Sequence, residues 1–117
     1  MTPSQQFAHY LTTQAQAHLS KADRLTKDDK QDEAIMEKIR ANMYKVATAF
    51  ICMAERRTPH DVFTAAKERI NNCLLPQWQN ALAQAHKHGD HVRIAHEEIK
   101  ISTMTKIINM MEAQKSE

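Results

Sequence analysis

Glycine and proline are so scarce in this chain that helix is the one regular structure it favours along its whole length. Its 117 residues contain one glycine and three prolines, whereas soluble proteins average about 7% and 5% of these residues. Both residue types let a backbone turn sharply or leave a regular conformation. Aromatic residues, which favour strands, make up only 5%. The sequence therefore predicts an almost entirely helical protein whose few glycine and proline positions mark helix ends and bends.

Length and composition predict a single domain spanning residues 1–117. Domains most often contain about 100–150 residues, and the 42% hydrophobic and 26% charged residues are ordinary for a globular protein. A net charge of +2 is too small to indicate nucleic acid or an anionic membrane as the partner. The chain has no apolar run long enough for a membrane span, and its polar N-terminus does not resemble a signal peptide. We therefore expect a cytoplasmic protein without a membrane partner.

Hydrophobic periodicity divides the chain into four predicted helices, at about residues 4–25, 27–56, 59–87 and 91–114. Thr26 is predicted to cap the second helix. Thr58 is predicted to cap the third, with Pro59 in its first turn. Gly89 is predicted to end the third helix in the left-handed conformation, and Asp90 to cap the fourth.

The apolar faces of the predicted helices differ in width. The first face is narrow and alanine-rich, so this helix is expected to bury the least apolar surface. The third helix repeats an apolar residue every four positions across Pro76, which predicts a kink there rather than a break. The fourth is expected to be well buried. The second has the clearest pattern, with coiled-coil-like spacing of Met36, Ile39, Met43, Val46, Phe50 and Met53.

The connections between the predicted helices are only a few residues long, and short connections require antiparallel neighbours. The predicted fold is all-α: an antiparallel up-down-up-down four-helix bundle whose third helix is kinked near Pro76. This topology places the first and third turns at one end of the bundle. The second turn and both chain termini lie at the other end. An intertwined or side-by-side dimer of helical hairpins is the alternative architecture.

Three histidines in the third turn, His86, His88 and His91, are the candidate metal ligands. Imidazoles at this density, with Asp90 among them, suit Zn²⁺, Ni²⁺ or Cu²⁺. Their spacing matches no specific metal-site motif, and a solvated turn with exposed histidines explains it more simply. Metal or small-ligand binding at this turn is therefore an alternative function.

The sequence contains no recognisable catalytic constellation, and we expect neither enzyme activity nor a cofactor. A ferritin-like di-iron bundle requires Glu-x-x-His on two helices, but no glutamate here has a histidine three residues later. A single glycine excludes a glycine-rich phosphate loop. Arg56, Arg57 and His60 form a basic corner, although cations also suit the last turn of a helix. Accessory binding of nucleic acid through Arg56, Arg57 and neighbouring lysines is a second alternative function.

Cys52 and Cys73 lie in apolar helical stretches and are expected to be buried, reduced thiols. In an antiparallel hairpin they would lie roughly 15 Å apart along the bundle, which is too far for a disulfide. Methionines also concentrate on the second and fourth helices, where they suit a core or an adaptable partner surface. Of these, Met110 and Met111 are expected to be the more exposed.

Protein–protein interaction is the predicted function. No catalytic motif competes with it, and the second and fourth helices carry wide apolar faces. The sequence favours a protein partner, with a homodimer as the expected assembly.

Overall fold

The computed structural model describes residues 1–115, and almost all of them are helical. Within this part of the chain lie α1 (Pro3–Lys27), α2 (Gln31–Arg57), α3 (Val62–Arg69), α4 (Leu75–Lys87) and α5 (His91–Lys115). A π-helical turn, Ile70–Leu74, joins α3 to α4 without a loop, so these segments form one bent arm. The described residues thus form the predicted antiparallel four-helix bundle, without strands. Ser116 and Glu117 of the predicted domain lie outside the described residues.

The first helix starts at Pro3, within one residue of its predicted start, but it ends later than predicted, at Lys27. Thr2 caps it, because the Thr2 Oγ1 accepts the Gln5 N–H at 3.2 Å and the Gln5 side chain accepts the Thr2 N–H at 3.0 Å. The predicted cap at Thr26 is wrong. This residue remains inside α1, and its hydroxyl donates to the Ala22 carbonyl at 3.0 Å. The second helix consequently begins at residue 31 rather than 27.

The third turn matches its prediction. Gly89 has a φ of +64°, in the left-handed region. The Asp90 N–H donates back to the Ala85 carbonyl at 2.9 Å, which is the bond that closes a Schellman motif. The Asp90 Oδ1 accepts the Arg93 N–H at 3.1 Å and so caps α5.

The first turn closes in the same way without a glycine. Asp29 takes the left-handed conformation, at φ +59°, and the Lys30 N–H donates to the Leu25 carbonyl at 2.8 Å. In both turns the next helix begins two residues after the left-handed residue, at Gln31 and at His91. We call α1–α2 the first hairpin and α4–α5 the second hairpin. We define equivalent positions in the two hairpins by their distance in sequence from the left-handed residue, Asp29 or Gly89. Equivalent positions therefore differ by 60 in residue number.

The second turn differs from its prediction. Thr58 ends α2 instead of capping α3: its N–H donates to the Ala54 carbonyl at 2.7 Å, and its carbonyl accepts the Asp61 N–H at 3.0 Å. Residues 58–61 thus form a separate turn, since Pro59 disfavours a helical conformation at Thr58. The next helix starts at Val62 rather than at residue 59.

The bent arm has the predicted kink near Pro76. Proline lacks an N–H, and its ring would clash with the Asn72 carbonyl in a regular helix. The backbone widens instead: the Leu75 N–H donates to the Ile70 carbonyl five residues earlier. Before the kink, α3 packs against α2 and α5. After it, α4 packs against α5, and its contacts with α1 and α2 are marginal at most.

Large apolar side chains are buried at the end of the bundle that holds the second turn. At the other end, in residues 17–41 and 77–101, every buried apolar residue is an alanine. The large members of the core are Phe7, Leu11, Met43, Tyr44, Ile51, Val62, Ile70, Met104, Ile107, Ile108 and Met111. The two hairpins therefore share one core near the second turn. Near its tip, each hairpin instead has its own contact between small residues.

The expectation that the first helix buries the least apolar surface stays a prediction, because α1 and the bent arm each bury four apolar residues. Phe7 and Leu11 of α1 belong to the core, whereas α4 fully buries only Ala85. The second half of α5 is well buried, as expected, through Met104, Ile107 and Met111.

The buried face of α2 is rotated relative to its predicted stripe. Of the predicted positions only Met43 is buried, and the other five are half-buried. The face that is buried instead is rich in small residues: Ala34, Glu37, Ala41, Tyr44, Ala47, Ile51 and Ala54. Small side chains let two helices approach closely, and α1 and α2 form the most extensive helix–helix contact among the described residues.

Candidate interaction surface

The three candidate metal ligands, His86, His88 and His91, are all exposed around the third turn. In residues 1–115 no three His, Cys, Asp or Glu side chains are grouped so that they could hold a metal ion. The third turn therefore presents separate imidazoles rather than a preassembled metal site, and metal binding there stays a prediction.

The predicted basic corner is divided between a cleft and the open surface. His60 lines a cleft of about 530 Å³ together with the carboxylates of Glu55 and Asp61. Arg56 and Arg57 are exposed in the last turn of α2 and are not part of that lining. Two carboxylates beside one imidazole give this cleft a negative charge, which disfavours the binding of phosphates.

The two cysteines are unpaired, as predicted, but they are exposed rather than buried. Cys52 lies next to the buried Ile51, on the outer side of α2, and Cys73 lies in the π-helical turn. The expected exposure at Met110 and Met111 is also wrong. Met111 is fully buried, and Met110 packs half-buried against the core.

The apolar face of α4 is only half covered. Leu75, Trp78 and Leu82 are half-buried and share one side of this helix. α5 packs against this helix, while α1 and α2 scarcely reach it. Large apolar side chains thus remain partly at the surface along α4.

The same segment carries no charge. Residues 70–85 contain no Asp, Glu, Lys or Arg, where the average of 26% would give about four. Residues 2–20 also lack these residues, but there the large side chains of Phe7 and Leu11 are buried. The α4 segment combines absence of charge with partly exposed apolar residues, including Trp78. Charge depletion and aromatic enrichment characterise the centres of protein–protein interfaces.

A buried carboxylate, Glu37, lies between the two helices of the first hairpin and was not predicted from the sequence. Its side chain is only 5% exposed. The His18 Nδ1 donates to Glu37 Oε2 at 2.5 Å, and the Arg40 Nη1 donates to Oε1 at 2.7 Å. The Lys21 Nζ lies 3.4 Å from the same Oε1. The imidazole of His18 also stacks on Tyr44, with ring centroids 5.4 Å apart.

These donors keep Glu37 ionised. Burial by itself raises the pKa of the Glu37 carboxyl. The hydrogen bond from His18, the charge of Arg40 and the hydrogen bond from Lys21 outweigh burial and lower the pKa below its usual range. The cluster therefore stabilises the contact of α1 with α2 as an ionic group at neutral pH.

A second buried carboxylate, Glu97, is only partly satisfied. Its side chain is 7% exposed, and Oε1 accepts the Lys100 Nζ at 3.1 Å. Its Oε2 is buried and has no hydrogen-bond partner among the described residues. A buried polar atom without a partner is costly, and a charged one more so.

The sequence pattern hides both buried carboxylates. Glu37 with Arg40, and Glu97 with Lys100, have the spacing of ordinary ion pairs on an exposed helix face. The one available signal is positional, because each glutamate lies eight residues after a left-handed turn residue. The sequence does not predict the left-handed turn at Asp29, so this correspondence emerges only from the structure.

Comparison with protein-family models, curated sequences and solved structures returned no match to this chain. Among the helices of residues 1–115, none has both the length and the hydropathy that crossing a bilayer requires.

Proposed function

We propose that this chain is a non-enzymatic helical-bundle protein that acts through protein–protein contact and forms a homodimer through the half-covered apolar face of α4. The observation that carries the proposal is the uncharged segment 70–85, on which Leu75, Trp78 and Leu82 remain partly at the surface. A face of this composition resembles the centre of an interface more than a solvated helix surface.

A second copy of the chain is the occupant that this face suits. A twofold dimer brings the same surface of both copies together, and a charged surface would then repel itself. The α4 face has no charge to repel. Exposed amide side chains flank its apolar centre and can form the polar rim: Gln77 and Gln79.

Trp78, the chain's single tryptophan, provides a direct test. When the dimer is diluted, the average mass in sedimentation equilibrium should fall by half. Over the same concentration range the Trp78 emission should shift to longer wavelength, because its indole becomes more hydrated. A mass equal to that of one chain at every concentration would contradict the homodimer.

Two charge substitutions on α4 provide a matched pair. Leu82→Glu puts a carboxylate into the proposed contact face of both copies and should raise the dissociation constant at least tenfold, or about 1.4 kcal/mol. Asn80→Glu puts the same charge on the opposite side of the helix, where the residue is exposed, and should leave the constant unchanged. Circular dichroism checks that both variants remain helical. Equal weakening by both variants would place the interface elsewhere.

A cytoplasmic location, with no cofactor, belongs to the same proposal. Two exposed, unpaired cysteines suit a reducing compartment. The alternatives, metal binding at His86, His88 and His91 or nucleic-acid binding at Arg56 and Arg57, rest on residues that are exposed singly.

A further inference from the structure

The two hairpins place a buried glutamate at the same position. Glu37 and Glu97 differ by 60 in residue number, which is the offset between equivalent positions of the hairpins. Both side chains are more than nine-tenths buried. Each accepts a hydrogen bond from a cation three residues later in its own helix, Arg40 or Lys100.

The hairpins differ in what the opposite helix supplies. In the first hairpin α1 supplies His18 and Lys21, which occupy both oxygens of the carboxylate. The offset of 60 places Trp78 and Ala81 at the equivalent positions of α4. Alanine has no donor, and the Oε2 of Glu97 has no hydrogen-bond partner among the described residues. The second hairpin therefore holds the carboxylate but lacks the donors that complete it.

We infer that an N–H group of the second copy donates to the Oε2 of Glu97 in the dimer. The inference rests on the homodimer proposed above and identifies the polar contact of its interface. The register puts Glu97 level with Trp78, which lies in the proposed contact face. The N–H groups that α4 carries there are neutral indole and amide groups, and these suit an uncharged face. Because Oε2 is covered in the single chain, the donor reaches it as the half-buried side chains of α4 repack.

Glu97→Gln tests this contact. Glutamine keeps an oxygen for Lys100 and replaces the free oxygen by an NH2 group, which donates hydrogen bonds but does not accept them. Because a twofold dimer contains this contact twice, the substitution removes two hydrogen bonds. If the loss of each hydrogen bond raises the dissociation constant of the dimer about tenfold, the loss of both should raise it about 100-fold. The Tm of the dilute, monomeric variant should equal or exceed that of the wild type, since a buried carboxylate oxygen without a hydrogen-bond partner is removed.

Glu37→Gln is the matched control. Glu37 is equally buried, but all its donors belong to the same chain. This variant should lower the Tm of the monomer and leave the dissociation constant within about twofold of the wild-type value. The two substitutions thus affect opposite properties, one the dimer and the other the fold.

Failure of the inference and failure of the dimer are distinguishable. A dimeric wild type whose Glu97→Gln variant dissociates at the same concentration would overturn the inference alone. A wild type that is monomeric at all concentrations would overturn the homodimer and the inference with it.

A measurement on the wild type covers the case in which Glu97→Gln fails to fold. In protein labelled with ¹³C at the glutamate Cδ, the Glu97 signal is identified by its absence from the spectrum of Glu97→Asp. On dilution, the chemical shift of Glu97 should change, while that of Glu37 should remain constant. A Glu97 resonance that does not move would also overturn the inference.

Discussion

Asp29 and Gly89 reach the same left-handed turn with different residue types. The φ values of +59° and +64° are close, but a side chain other than glycine's meets steric resistance in this region. The carboxylate of Asp29 also lies at the C-terminal end of α1, where the helix dipole disfavours negative charge. The first turn is therefore the more strained of the two.

Asp29→Gly should raise the free energy of unfolding by about 1 kcal/mol, because glycine adopts this φ without the steric cost. Asp29→Asn is the control, since it removes the charge and keeps the Cβ atom. Its gain should be smaller, about 0.3–0.5 kcal/mol. Urea unfolding with equal m-values measures both. Lower stability of Asp29→Gly would show that the aspartate is favourable at this position.

The Glu37 cluster makes stability depend on acid pH. Its pKa in the folded chain lies below the ordinary 4.5, so the unfolded chain takes up the proton first as the pH falls. The stabilisation is complete above about pH 4.5 and is lost as the pH falls through the folded-state pKa. Glu37→Gln should cost about 1–3 kcal/mol at neutral pH, and its difference from the wild type should shrink below about pH 4.5. Urea unfolding across this range measures it, and a difference that is constant with pH would contradict the cluster's role.

At the scale of the helices, small residues decide how the first hairpin packs. Ala15 and Ala41 are almost fully buried, and side chains of this size let α1 and α2 approach closely. The apolar pattern in the sequence of α2 predicts that its larger residues, from Met36 to Met53, form the buried face. The contact with α1 instead buries the alanine face, because a close helix pair buries backbone and Cβ atoms together.

Ala41→Leu should therefore destabilise the fold by about 1–3 kcal/mol, since the added atoms have no space between the helices. Ala49→Leu on the exposed side of α2 is the control and should change stability by less than about 0.5 kcal/mol. Thermal or urea unfolding compares the two variants. Equal effects would mean that the close contact of α1 with α2 is not what Ala41 supports.

The kink in the bent arm is the other feature of this scale. Pro76 predicts it from the sequence, because the missing N–H and the ring act on neighbouring backbone only. The π-helical form of the turn, with the Leu75 N–H bonded to the Ile70 carbonyl, is one of several ways to accommodate proline. The sequence therefore predicts the site of the bend, while the packing of α3 and α4 selects its form.

For the whole molecule, the position of the core determines which surface is left open. Large side chains such as Met104 and Ile107 are buried near the second turn, while the hairpin tips bury alanines. α4 extends towards a tip, and α5 is the helix that packs most extensively against it. The half-exposed Trp78 and the unpaired oxygen of Glu97 follow from that arrangement, and both proposals depend on it.

The sequence by itself determined the helical class, the antiparallel order, the turn at Gly89 and the bend near Pro76. These features follow from local backbone preferences and short connections, which act over a few residues. Only the tertiary structure decided which face of α2 is buried, that Glu37 and Glu97 leave the solvent, and that α4 remains half covered. Those outcomes depend on how closely α1 approaches α2 and on what remains to cover α4, and contacts between distant residues set both.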